Sequence, residues 1–158
     1  MTMTIELTWS ELEQAALTGA HRRMRRLRAG STHRWGYDGA GSWTAEIEAA
    51  AAEMAVAKAL GCYWADFSAP DHAGDVGPGV QIRHTIRRDG RLIVHPEDAD
   101  DHRFVLVRGP APRLEIAGWI LGRDAKRQEW WADPSTGRPA FFVPDRALCQ
   151  QRLPEIAA

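Results

Sequence analysis

The feature that most constrains the fold is the order of its patterned segments. Two long helical stretches come first. A series of short strand-like runs follows, at residues 80–86, 91–95, 104–108, 113–121 and 140–143. Apolar and β-branched residues alternate within these runs, and turn signals separate them: Arg88-Asp-Gly90, residues 96–101, and Gly109-Pro110-Ala-Pro112. This spacing predicts antiparallel neighbours. Residues 62–67 form a further short apolar run that reads as strand. Helices followed by strands, with a short helix or turn at 122–131 and a closing helical turn near 145–153, predict an α+β or mixed α/β fold. The architecture expected is one domain with a central mixed β-sheet flanked by helices. A length of 158 residues fits one domain with a real core.

The helices are specified locally. Thr8-Trp-Ser-Glu11 matches a capping box, with Thr8 as N-cap and Glu11 at N3. A helix is predicted over residues 9–28, stopping near Gly30. Leu12, Ala15, Ala16, Met24 and Leu27 form its apolar stripe. Residues 30–43 read as a loop rich in glycine, with Trp35, Tyr37 and Trp43 packing it down. A second helix is predicted over 44–60, capped by Ser42 or Thr44 and ended by Gly61. Alanines at 49–52, 55, 57 and 59 make it slim enough to approach a sheet closely. Glu53 lies among them and needs either solvent or a partner. The chain thus divides into a basic helix and loop (1–43), a core (44–108), and C-terminal strands and short helices (109–158).

Composition excludes little. Net charge is −1, so the overall field gives no pull toward nucleic acid. The distribution is uneven, however. Six arginines and no acid lie between His21 and Arg34, while Glu97, Asp98, Asp100 and Asp101 cluster without a base. Cations at a helix C-terminus favour the helix dipole. Arg22, Arg23, Arg25, Arg26 and Arg28 exceed that need, and a phosphate-binding face is the alternative. The N-terminus has neither the basic nor the apolar region of a signal peptide, and no run approaches a membrane span. Cys62 and Cys149 have no paired spacing, so a reducing cytoplasm is expected. His72, His84, His95 and His102 show no zinc spacing, and no nucleophile elbow or phosphate-binding loop is present.

The chemistry concentrates in Asp75-Val-Gly-Pro-Gly-Val-Gln-Ile-Arg83-His-Thr85. An acid precedes a Gly-Pro-Gly turn, and Gln81 and Arg83 share one face of the following strand. A carboxylate, an amide oxygen and a fixed cation are groups a metal-dependent phosphodiesterase uses. A half-buried strand with a polar outer face produces the same alternation, so both readings stand at this point.

The helix Ala52-Glu53-Met-Ala-Val-Ala-Lys-Ala-Leu-Gly61, together with Asp75-Val and Val80-Gln-Ile-Arg-His-Thr85, resembles the restriction-endonuclease-like superfamily, the PD-(D/E)XK nucleases, across roughly residues 44–108. Residues Leu92-Ile-Val-His-Pro-Glu-Asp98, Phe104-Val-Leu-Val107 and Gly118-Trp-Ile120 are similar to small phage and prophage proteins of that group. The resemblance implies a restriction-endonuclease-like fold and a Mg²⁺- or Mn²⁺-dependent deoxyribonuclease. Glu53, Asp75, Gln81 and Arg83 would be its catalytic residues, with Asp75, Gln81 and Glu53 as metal ligands. Arg22, Arg23, Arg25, Arg26 and Arg28 would track the DNA backbone. Gln81 stands where the family has an acid and Arg83 where it has lysine. A guanidinium is always charged and shuttles protons poorly. A weak nuclease is therefore one expectation. The other is a non-catalytic accessory module that binds DNA, a protein partner or a second copy of itself.

Overall fold

The computed structural model describes residues 2–31, 41–64, 74–134, 137–154 and 156. A mixed α/β architecture is found, built on two sheets. Strand β1 (Met3–Glu6) leads into helices α1 (Trp9–Arg28) and α2 (Gly41–Leu60). Strands β2 (Val80–Thr85), β3 (Leu92–Val94), β4 (Arg103–Arg108) and β5 (Arg113–Leu121) follow. Then come a short α3 (Gly122–Ala125), β6 (Trp131–Ala132) and β7 (Ala140–Val143). The first sheet has the order β1-β5-β4-β2 and the second β3-β7-β6.

The capping box forms as expected. Glu11 N–H donates to Thr8 Oγ1 at 3.3 Å, and Thr8 N–H donates to Glu11 Oε2 at 2.7 Å. The apolar stripe expected of α1 is only partly used. Ala15 is buried, but Met24 and Leu27 are exposed, and Thr18, Gly19 and Arg23 are buried instead. Gly19 explains this rotation. A Cβ there would lie 2.5 Å from Ile47 Cα, so the two helix backbones touch at that point. Helix α2 is buried almost all round from Ala50 to Ala57, as an alanine-rich helix wedged between α1 and a sheet must be.

The expectation of consecutive antiparallel strands holds for β4 and β5 but not for β2 and β3. Strand β2 pairs with β4 in parallel, and β3 leaves the first sheet to pair with β7. Parallel neighbours need a crossover, and β3 lies within it. Packing gives the reason. Val80, Ile82, Val105, Val107, Leu114 and Ile116 cover one face of the first sheet and meet α2. Phe104, Leu106, Ala117 and Ile120 lie on the other face, with Leu92, Val94 and Val143 of the second sheet in the same cluster. The second sheet therefore does on that face what the helices do on the first.

A register shift between β4 and β5 at Leu106/Val107 lets β5 serve both layers. Ile116 pairs Val107 and Gly118 pairs Leu106, so Ala117 is the extra residue of a bulge, and the inward parity of β5 reverses beyond it. Gly118, at φ 142, sits where a Cβ would come 2.8 Å from Leu148 Cβ. Strands β1 and β6 were not expected from the sequence. Cys62, Tyr63 and Trp64 of the expected 62–67 strand are not in a strand, and the remainder of that run lies outside the described residues. Most of the expected 30–43 loop also lies outside them, and residues 41–43 belong to α2.

Candidate functional site at the mouth of β2

The turn before β2 places Asp75 at the open edge of the first sheet. Asp75 N–H donates to Val80 O at 2.7 Å, and Asp75 Oδ2 accepts from Ile82 N–H at 2.7 Å. Gly79, with φ 71, lets the chain close this tight return. The side chain thus pairs one N–H of an edge strand that would otherwise face outward. Among the described residues, its second oxygen, Oδ1, has no hydrogen bond.

Glu53 reaches the same place from α2. Its carboxylate takes a two-pronged bond from Arg22, with Nη1 to Oε1 and Nη2 to Oε2, both at 2.8 Å. Trp64 Nε1 donates to Oε2 at 3.2 Å. Burial, with a smaller push from the Asp75 charge, raises the Glu53 pKa to about 7 despite the Arg22 guanidinium. Burial likewise pushes Asp75 upward, against the Ile82 N–H and the positive charges of Arg83, Arg22 and His102. Two acids with raised pKa values, both acted on by Arg22, thus lie at this end of the sheet. Such perturbations cluster at functional sites.

Gln81 and Arg83 share a face, as expected, but it is the face opposite Glu53. Val80 and Ile82 point into the layer of α2, so their odd-numbered neighbours point toward the second sheet. Arg83 Nη2 donates to Asp98 Oδ2 at 2.9 Å, Nε donates to Ile93 O at 3.3 Å, and the guanidinium lies 5.1 Å from the Phe104 ring centroid. Asp98 also accepts His95 N–H at 2.8 Å. Arg83 therefore ties β2 to β3 and the loop after it. Gln81 Nε2 lies 3.4 Å from His102 Nδ1. Asp75 sits at the edge between the two faces and feels charges from both.

The basic run of α1 is only partly available to a ligand. Arg22 is bound to Glu53, and Arg26 Nη1 is bound to Glu46 Oε1. Arg23 is buried, while Arg25 and Arg28 are exposed. Sequence reasoning assigned Arg22 to phosphate and left Glu53 to seek its partner elsewhere. A spacing of 31 residues between two helices carries no local signal for that pair. Trp64 and His102 were also missed as neighbours of the site. His72 lies outside the described residues.

The donor set suits a hard cation only in part. Among the described residues no three of His, Cys, Asp and Glu converge as a closed cage. The oxygens without a hydrogen bond among the described residues are Asp75 Oδ1 and the Gln81 carbonyl, while Glu53, held by Arg22 and Trp64 on the opposite face of β2 from Gln81, could reach a cation shared by those two only through water. Mg²⁺ keeps several waters and is often held by one or two carboxylates plus substrate phosphate, and this set fits that mode.

No family model matches the chain, and neither a curated protein nor a solved structure matches it. No helix among the described residues is long and apolar enough to cross a membrane.

Proposed function

We propose that the chain is a Mg²⁺- or Mn²⁺-dependent phosphodiesterase acting on DNA, of modest activity, in the cytoplasm. The observation that carries this reading is a pair of acids, Glu53 and Asp75, that burial leaves with raised carboxyl pKa values, the Asp75 charge adding to the rise at Glu53. Two buried carboxylates are costly unless a cation or proton joins them. A bound divalent cation would supply Lewis acidity toward a phosphate ester. Asp75 would hold it through Oδ1 and Gln81 through its carbonyl oxygen. Arg22 has a guanidinium fork that suits phosphate as well as carboxylate. It can turn to a phosphate and leave Glu53 to reach the cation through a bound water. Exposed Arg28 extends this basic edge.

A second reading is favoured by one observation. Arg83, in the position of the family's lysine, is held by Asp98, Ile93 and Phe104 on the other face of β2. A nuclease-like module that only binds DNA or a protein would keep such a clamp and need no reactive cation there.

Calorimetric Mn²⁺ titration and plasmid cleavage with Mg²⁺, Mn²⁺ or EDTA test the first reading. Asp75→Asn keeps an acceptor for Ile82 N–H and removes the charge. It is expected to abolish both metal binding and cleavage while leaving the melting temperature within a few degrees. Cleavage at the wild-type rate in Asp75→Asn would sink the assignment. DNA binding without metal binding would favour the accessory module.

A further inference from the structure

We propose that the outer face of α1 pairs with the same face of a second copy of this chain, the two helices running antiparallel. The inference does not rest on the phosphodiesterase reading. Leu17 is 57% exposed, Met24 42% and Leu27 51%, and half-buried Ala20 lies between the first two. With about 100° between successive helical residues, Leu17, Ala20, Met24 and Leu27 fall within one stripe about 80° wide. The opposite side of the helix touches α2 at Gly19, so the stripe faces away from the body of the chain. Steps of three, four and three residues are the spacing by which two helices interlock side chains along a seam.

Charge and side-chain size name the occupant. The N-terminal half of α1 carries Glu11 and Glu13 and no base, and its C-terminal half carries five arginines and no acid. A parallel second copy would set arginine against arginine. An antiparallel one sets the acidic end of each helix against the basic end of the other. Several of these charges are already used within the chain: Glu11 by Lys58, Arg22 by Glu53 and Arg26 by Glu46. Glu13 and Arg28 are exposed and make no ion pair among the described residues. Glu13 continues the line of the stripe, and Arg28 borders it. With the crossing level with Arg22, Leu17 meets Leu27 of the second copy. Ala20 meets Met24, a small side chain against a long one, which lets the helices close. Glu13 then lies within one helical turn of Arg28 of the second copy, and two-fold symmetry forms this ion pair twice. A guanidinium has five donors, so Arg28 can bind this carboxylate and still present N–H groups to a phosphate.

The test is sedimentation equilibrium of the full chain over about 1–300 μM, the range in which a small two-fold interface dissociates. The wild type is expected to pass from monomer to dimer within it. Leu17→Lys sets a cation beside Arg28 of the second copy and does so twice. It is expected to weaken the dimer about 100-fold and so to stay monomeric. Leu17→Gln is expected to weaken it about ten-fold, and it carries the test should Leu17→Lys not fold. The ion pair is tested by exchange. Glu13→Lys and Arg28→Glu are each expected to weaken self-association about ten-fold, since each sets like charges together at both ends. Mixed in equal amounts, the two variants are expected to form a heterodimer within about three-fold of wild-type affinity, because both contacts then join opposite charges. A wild type that stays monomeric to the top of the range would overturn the proposal. So would a folded Leu17→Lys that dimerises as the wild type does. Charge variants that leave self-association unchanged, or that fail to rescue each other on mixing, would overturn the antiparallel pairing.

Discussion

The two faces of β2 hold their charges in opposite ways. On the second-sheet side, Arg83 meets one carboxylate, one carbonyl and one aromatic ring, and every contact is attractive. On the helix side, Arg22 meets Glu53, whose pKa is raised by burial, and Asp75 at the edge is raised by burial as well. The first arrangement is what a fold uses to join two layers. The second is a standing electrostatic conflict, relieved only in part by Arg22 and Trp64. Evolution of a stable core alone gives no reason to keep it, because apolar side chains of similar volume pack as well without the desolvation cost. The contrast sets a charge that joins two layers against the charges proposed above to serve function.

Removing Arg22 is the most severe way to break this contrast. Arg22→Met leaves Glu53 buried without its cation, and the loss of one member of a buried pair costs about 3–5 kcal/mol. The expected loss, measured by urea unfolding, is largest at pH 8 and shrinks near pH 5, where Glu53 takes up a proton. A loss that is the same at both pH values would mean that Glu53 is not the group left stranded.

The next effect is in the pH dependence of the intact chain. Glu53 has a folded pKa of about 7, above its ordinary 4.5. The native state therefore binds the extra proton. Its stabilising effect is fully present below pH 4.5 and is lost as pH rises to about 7. A shift of this size corresponds to roughly 3 kcal/mol across that window. Asp75, also raised, adds in the same direction. Glu53→Gln is expected to flatten most of this decline, since the amide stays neutral throughout. A wild-type stability that rises from pH 5 to pH 7, with the Glu53→Gln curve parallel to it, would show that the acid pair is not strained.

Much of the scaffold was legible because its signals are local. The Thr8/Glu11 box, the run of alanines before Gly61 and the alternation at 113–121 each depend on neighbours a few residues apart. The strands β4, β5 and β7 were placed within a residue for that reason. The layer assignment was not legible. Whether Gln81 and Arg83 face α2 or the second sheet depends on which side of β2 each apolar set finds its cover. That in turn depends on β3 leaving the sheet to pair with β7, 47 to 51 residues beyond it in the pairs Leu92–Val143 through Val94–Phe141. The same holds for Arg22. Its place in a basic run pointed to phosphate, while its actual partner is an acid on another helix.

Arg83 offers a smaller test on the attractive face. Arg83→Met keeps the aliphatic stem over Phe104 but leaves Asp98 without its guanidinium. Because Asp98 is half-buried and still holds His95 N–H, a loss of about 1–3 kcal/mol is expected. Arg83→Lys should recover the charge but not the fork to both Asp98 and Ile93, and so fall between. Arg83 also lowers the Asp75 pKa, so Arg83→Met is expected to steepen the decline slightly through Asp75 while the larger slope set by Glu53 stays. A change in slope as large as that made by Glu53→Gln would mean that the two faces are one electrostatic unit, and the contrast drawn above would fail.

The smallest expected effect on stability, and the sharpest on function, is that of Gln81→Glu. Gln81 is only half-buried, and its single contact to His102 is long, so a change within about 1 kcal/mol is expected. A carboxylate at this position adds a negative charge on the side of Asp75 that a cation would occupy. Repulsion should push the Asp75 pKa still higher in the absence of metal, while the divalent ion should bind about ten-fold more tightly, because hard cations favour a carboxylate over an amide oxygen. The two effects have the same cause and must appear together. Mn²⁺ calorimetry gives the affinity, and NMR titration of the Asp75 carboxyl gives the pKa. A raised Asp75 pKa with no gain in affinity would show that residues 75 and 81 are close but do not share a cation. Gain of neither would place Gln81 wholly on the structural face, beside Arg83, and leave Glu53 and Asp75 as the entire candidate site.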